Sequence, residues 1–415
     1  MSKRVSIIAL ASPVHPQVQR VAALKRFLKV MEDSGLEIDM ITEPISSVEE
    51  VWAVKHKILD LDRPLLVLHL TGGTSKLAVE VAKWCNSTIT LIAHNESNSL
   101  PSSLEARARI RRLGLDVELK LIDSINGKLQ VKSEVYDFKG CVAILGEVSP
   151  RTFDISCPAI IARRLKVKVK QLTQDELERY LEKHRQSAEL VHEFLSRFRG
   201  KVDVPTRELQ LSLALKEAVG DALEKVKCDV FTIDCFEVMK RIHVTPCLAI
   251  SLLSANEILG VCEADLQAAA CMMSTRELTQ PFMGNIAAVK EEDTLILAHC
   301  TAPITLASSE SDVKLKSHFE TNESVAVDVP IRQGMAVMVG CDPQLKSAYV
   351  VECYVDGSQL ELKNLCRTQV AIKLKSKTLD VLSKWPSGHA VLAVQVSLAE
   401  AKRVLAEKGF EVVEL

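Results

Sequence analysis

Two carboxylates, Glu263 and Asp265, stand two residues apart in the otherwise apolar stretch "GVCEADLQAAACMM", residues 260–273. An unpaired carboxylate is expensive to bury, so acids in such a setting need a partner, a metal ion or a helix N-terminus. They follow "ILGV" and precede "LQAAACMM", which predicts the first turn of a helix, where the dipole favours ionised acids. In a regular helix, residues two apart point about 200° away from each other. Both can face one ligand only if the turn is irregular; otherwise one binds and the other caps the helix or supports the first. The plainer alternative is that both only cap the helix.

Glu237 in "IDCFEVM" lies just past an apolar strand, 26 residues before Glu263. Two successive strand-to-helix turns, each carrying an acid, would bring these acids to one edge of a sheet. The alternative is a solvated first-turn Glu, and Asp234 on the same turn competes as an acid or as an N-cap. The histidines of the later chain are His299 in "LAHCTAP", His318 in "SHFE" and His389 in "PSGHAV". A lone histidine on a strand is more often structural than a ligand, and His299 is read as packing or supporting. His389 differs, because it follows Ser-Gly at the start of a strand, where a side chain stands at a rim. Carboxylates plus one imidazole with open positions suit Mn²⁺, Co²⁺ or Mg²⁺ better than structural zinc. His299 and Cys300 point to opposite faces of a strand, so they cannot form a Cys–His pair. "TGGTSK" lacks the Gly-x-x-x-x-Gly-Lys spacing of a phosphate loop. Its backbone N–H groups can still hold hydroxyls or an anion; otherwise it is a tight turn.

The elements that must position these residues fall into three predicted domains, 1–168, 169–280 and 281–415. In the first, short β-rich runs ("VSIIAL", "IDMIT", "LLVLHLT", "TITLIA", "CVAIL") alternate with helical segments. That order predicts an α/β domain with a parallel sheet covered on both faces, flavodoxin-like or Rossmann-like, whose ligands approach the loops "SPVHP", "TGGTS" and "HNESNSLP". The second opens on the capping box Thr173–Glu176 and a long helix to about Phe198, then a helix over 207–225, the strand "CDVFTID" and the helix "CLAISLLSAN". It is again α/β. From about residue 281 the runs "DTLILAHCT", "VAVDVP", "MAVMVG", "SAYVVECYV", "TQVAIKL" and "HAVLAVQV" predict a mostly antiparallel β-rich domain, a small barrel or sandwich.

A chain of 415 residues exceeds what one hydrophobic core serves. Its formal net charge of −2 gives no basic field for nucleic acid. No window holds about eighteen uninterrupted apolar residues, so no membrane span is expected. The N-terminus reads as a first strand rather than a signal peptide, since Pro13 and Pro16 interrupt it. Twelve cysteines without a CxxC pair suit free thiols in a reducing, cytoplasmic setting.

Together "TGGTS", "HNESNSLPSSLEARA", "IDCFEVMKRIHVTPCLAISLLS", "CEADLQAAACMM", "LAHCTAP", "SHFE" and "SGHAV" resemble, in order and over nearly the whole chain, the L-fucose isomerase and L-arabinose isomerase superfamily, in its shorter fucose-isomerase-like branch. The resemblance implies two α/β domains, a β-rich C-terminal domain, and a divalent metal, often Mn²⁺, held by two acids and a late histidine. Carried over by motif, these fall on Glu237, on Glu263 or Asp265, and on His389. The implied activity is aldose–ketose isomerisation of a free, fucose- or arabinose-like sugar through a cis-enediol, with Glu237 and the acid of "CEAD" sharing the proton transfer. The resemblance also implies a homo-oligomer, trimer or hexamer, in which a neighbour's N-terminal domain covers the site. His15, Thr71, Gly72, Gly73, Thr74, Ser75, His94, Asn95 and Asn98 would then meet the sugar, with His299 and His318 as further contacts. "MAVMVGCDPQ" departs from the family by lacking a Thr and an Arg on that strand. A non-catalytic sugar-binding protein is therefore one alternative. An isomerase of an anionic sugar is another, with Lys76, Arg107 and Arg109 as its nearby cations.

Overall fold

The computed structural model describes residues 3–122, 138–146, 157–363 and 365–415. Two compact units emerge, one of residues 1–139 with 157–170, the other of 140–156 with 171–415. The mixed α/β expectation holds, with parallel-sheet α/β portions followed by a closed antiparallel barrel.

In the first unit, β1 (Lys3–Leu10), β2 (Leu36–Met40), β3 (Leu65–His69), β4 (Ile89–Ala93) and β5 (Val117–Leu121) form a parallel sheet ordered β2-β1-β3-β4-β5. The order reverses direction between β1 and β3. β3 and β4 are buried along their whole length, as strands covered on both faces must be. Their runs "LLVLH" and "ITLIA" accordingly lack a polar alternation.

In the second unit, β6 (Gly140–Leu145), β9 (Val230–Ile233) and β10 (Leu259–Cys262) follow the order β10-β9-β6, while β7 (Val167–Leu172) crosses the boundary of the two units in the chain. A short strand β8 (Lys201–Asp203) lies between β7 and β9 in the chain. β9 and β10 run parallel, with Cys262 opposite Ile233, so the turns after both strands open at the same sheet edge. The capping box at Thr173 forms as expected, but the helix it starts ends at His184 and a separate helix covers Glu189–Arg197. The next helix spans Thr206–Val226.

The barrel is built from β11 (Phe282–Glu291), β12 (Thr294–His299), β15 (Gly334–Cys341), β16 (Ser347–Ser358), β17 (Thr368–Leu374) and β18 (His389–Val394). The order β15-β18-β11-β12-β17-β16 closes through a β15–β16 pairing, and β19 (Glu411–Glu414) adds parallel to β16. Beside the barrel, β13 (Lys314–Lys316) pairs with β8 on one side and with β14 (Ala326–Asp328) on the other. Leu295 and Leu297 of β12 share one core cluster with Ala390, Leu392 and Val394 of β18. Burial of each such Leu or Val stabilises by about 1.5–3 kcal/mol.

The expectation of twelve free thiols fails at four positions, where disulfides join Cys141 to Cys228 and Cys271 to Cys341. Their Cα separations of 4.8 and 6.3 Å lie within disulfide reach. The inference from reduced cysteines to a reducing compartment falls with it. No helix among the described residues is long and apolar enough to cross a membrane.

Candidate metal centre

The two acids of "CEAD" do face one place, and an irregular turn is the reason. Glu263 and Ala264 both adopt left-handed backbone, φ 61° and 51°, and the Asp265 N–H closes the turn on the Cys262 carbonyl at 3.3 Å. This is the pattern of a type I′ turn, here without the Asn-Gly that ordinarily relieves it. Left-handed backbone costs a residue with a Cβ about 1–2 kcal/mol. The Ala264 N–H donates to the Ile233 carbonyl at 3.1 Å, tying the turn to the end of β9. Asp265 is then the N-cap of the helix Leu266–Thr275, its Oδ1 accepting the Ala268 N–H at 2.8 Å.

The barrel supplies two imidazoles. Asn285 of β11 stands opposite His389 on one side and opposite Ala298 on the other, so His389 and His299 flank the same end of β11. Their rings lie 6.1 Å apart. His299 continues the inward row Leu295–Leu297, whereas His389 has the opposite parity to Ala390 and Leu392. Glu263 meets both rings, Oε1 at 3.5 Å from His299 Nε2 and Oε2 at 3.5 Å from His389 Nε2. The candidate ligand atoms of Glu263, His299 and His389 all lie within 4.8 Å of one another, and this group could hold a metal ion.

Supporting contacts decide what each ring offers. Asp265 Oδ2 takes the His389 Nδ1 proton at 2.7 Å, which directs Nε2 at Glu263. A carboxylate on the far nitrogen is the arrangement that orients and strengthens a metal-binding histidine. His299 Nδ1 accepts the Cys300 N–H at 3.0 Å, so in this arrangement the ring proton sits on Nε2, toward Glu263. The other tautomer is the one that presents a lone pair to a cation. It too has a partner, because Thr301 Oγ1 lies 3.0 Å from Nδ1 and can accept as well as donate. The donor set therefore fits a cation that takes both carboxylate and imidazole.

Burial alone would raise the Glu263 pKa, but hydrogen bonds from His299 and His389 outweigh it and hold the carboxyl well below the usual range. Burial alone would lower His389; Asp265 and Glu263 outweigh that and push the imidazolium up to about 10. The Glu263 side chain is 25% exposed against 4% for His299, which puts the open side of the site at the carboxylate. Behind His389, a cavity of about 10 Å³ against Cys271 and Cys341 has room for one water at most.

The other expected residues fall as follows. Asp234 caps the helix Cys235–Ile242 through the Phe236 and Glu237 N–H groups. Glu237 lies on that helix's first turn, 3.7 Å from Lys240, and does not join the three-residue group. His318 is buried and Thr321 Oγ1 lies 3.4 Å from its Nδ1; it too stands outside the group. In the first unit, Thr71 Oγ1 accepts the Ser12 N–H and donates to the Gly72 carbonyl. Thr74 Oγ1 donates to the Thr71 carbonyl and meets His69 and Ser102. A Cβ on Gly72 would stand 2.8 Å from Asn98 Cβ, and Gly73 has φ +73°. Ser75 is buried in the first turn of the helix Ser75–Trp84. His94 is buried against Phe27, its ring held by the Leu70 carbonyl and the Glu96 N–H. His15 is half-buried, while Asn95 and Asn98 are exposed. Arg109 pairs with Glu105.

His299 is the member of this group that sequence reasoning read as a packing, supporting or sugar-contacting residue. Its parity with Leu295 and Leu297, at the end of their row, was the available signal. No family model matches the chain, and no curated protein is similar to it.

Proposed function

We propose that the protein is a metal-dependent aldose–ketose isomerase acting on a free, fucose- or arabinose-like sugar. The observation that carries this is the convergence of Glu263, His299 and His389, with Asp265 seated on the far nitrogen of His389. Glu263, His389 and His299 would hold the cation, for which Mn²⁺ suits the donors. A bound divalent ion would supply charge stabilisation where negative charge develops on the sugar oxygen of the enediol. Asp265 keeps the Nδ1 proton and so fixes the direction of Nε2. Glu237, on the turn after the neighbouring strand, is the acid that carries the proton between C1 and C2 through a cis-enediol. Its half-exposed position leaves a carboxylate oxygen available for that work.

The sequence resemblance supports the substrate class, and with it a flavodoxin-like first domain and assembly into a homo-oligomer. A panel of aldoses with added Mn²⁺ tests the reading. Conversion of at least one aldose to its ketose is expected in wild type. Glu237→Gln is expected to lose conversion while Mn²⁺ affinity stays within a few-fold. Mn²⁺ binding without turnover of any sugar would favour the non-catalytic sugar-binding alternative, which the missing Thr and Arg of β15 support.

A further inference from the structure

Cys300 directly follows His299, and its peptide N–H is the donor to His299 Nδ1. The Cys300 side chain is buried in a small apolar cluster with Cys247 and Ala326, against which Cys366 and Phe319 pack. Its Sγ accepts the Arg367 N–H at 3.4 Å, which sets it beside the peptide that follows Cys366. Cys247 and Cys366 both pack around that sulfur. The β12–β17 ladder ends at the pair His299–Thr368, so both cysteines lie just past its last paired residues, with the Cys300 carbonyl accepting the Val327 N–H at 3.1 Å. These sulfurs do not make a second metal group, since the only such group among the described residues is that of Glu263, His299 and His389.

We propose that Cys300 and Cys366 form a reversible disulfide when the protein meets a hydroperoxide, and that the bond acts on His299 through the Cys300 peptide. In the first step, the Cys300 sulfur attacks one peroxide oxygen. The O–O bond breaks, the sulfur becomes a sulfenic acid, and water leaves with the thiol proton in the case of hydrogen peroxide. In the second, the Cys366 sulfur displaces the hydroxyl as a second water and the S–S bond forms. The two thiols lose two electrons and two protons together, and the peroxide takes both. Cys366 is the resolving partner rather than Cys247. Cys366 is half-buried in the segment before β17, whereas Cys247 is buried as the first residue of the helix Cys247–Ser254. Drawing Cys300 toward Cys366 turns its N–H away from His299 Nδ1 and releases the ring.

The bond stands independently of the metal reading; its effect on the ion rests on that reading. Full-length protein is treated with hydrogen peroxide, digested without reduction and mapped by mass spectrometry. A Cys300–Cys366 link is expected, with Mn²⁺ affinity raised several-fold, because the Cys300 N–H holds the His299 tautomer that turns its proton toward Glu263, and returned to its starting value by dithiothreitol. Cys366→Ser should keep the untreated affinity and make it insensitive to peroxide, and Cys247→Ser should still form the link. Absence of the link, or a Cys300–Cys247 link in its place, overturns the proposal. A mapped link with unchanged Mn²⁺ affinity overturns the coupling to His299. Failure of untreated protein to bind Mn²⁺ strikes the metal reading alone, because mass detects the bond either way.

Discussion

Each unit buries a pair of histidines at strand ends, and the two pairs have opposite fates. In the first, His69 closes β3 and His94 follows β4, and their contacts are hydroxyls, carbonyls and an amide. Burial, aided by the charge of His94, pushes the His69 pKa down to about 3. In the second, His299 closes β12 and His389 opens β18, and their shared contact is a carboxylate. Burial is common to both regions, so burial does not choose the charge state. The acid among the neighbours does, and it converts a packing residue into one that can serve chemistry.

The largest test of that contrast is pH. His69 has a folded pKa below the unfolded value of 6.5, so its contribution is complete above 6.5 and is lost as pH falls toward 3. His389 has a folded pKa above 6.5, so its contribution is complete below 6.5 and is lost as pH rises through about 10. Each is worth on the order of 5 kcal/mol, the second shared with Glu263 and counted once. In metal-free protein, native-state hydrogen exchange reads the units separately. His69→Gln should flatten the acid limb of the first unit, and His389→Gln the alkaline limb of the second. The contrast breaks if either variant flattens the other limb.

Next in size is the ion. Glu263→Gln should weaken Mn²⁺ binding by about a hundredfold or more, whereas His69→Gln should leave it within about twofold. Isothermal titration decides, and equal losses would sink the distinction. Asp265→Asn sharpens the comparison further. Asn still caps the Ala268 N–H, so the helix should keep its start, but His389 loses its carboxylate: the melting temperature of metal-free protein should fall and Mn²⁺ affinity should drop about tenfold. A drop in stability without a drop in affinity would leave Asp265 as a stabilising residue only. The smallest effect is Ala264→Gly, which should stabilise by about 1 kcal/mol by relieving left-handed backbone. Urea unfolding that shows a loss instead would mean the turn is not strained at that residue.

These residues also mark where the sequence was legible. The parallel strands of the first unit are short, continuous apolar runs bounded by turn residues, and that pattern has few other solutions. The barrel showed as strands with turns between them, but its closure depends on β18 pairing with β11 and β15, strands far earlier in the chain, and no local pattern encodes that. Glu263, Asp265 and His389 stood out because charge and imidazole are conspicuous beside apolar runs. Glu-Ala carries no signature of a left-handed turn, so the device that lets both acids face the site was hidden. Buried Thr71, Thr74 and His94 read as ligand contacts because a strand-end loop rich in hydroxyls looks the same whether it serves a ligand or its own backbone. The two disulfides were invisible for a similar reason, since cysteine spacing says nothing of which strands and helices will meet.

The place of β18 in the barrel has a consequence for biosynthesis. It lies between β15 and β11, and His389 stands 124 residues beyond its partner Asp265. Chains emerge N-terminus first, so the acids and His299 are made while the last imidazole is still to come. Until β18 inserts, the barrel has a gap and Glu263 and Asp265 lack the ring that offsets them. A ligand that favours the assembled site therefore acts only on finished chains and draws the closing strand home by mass action.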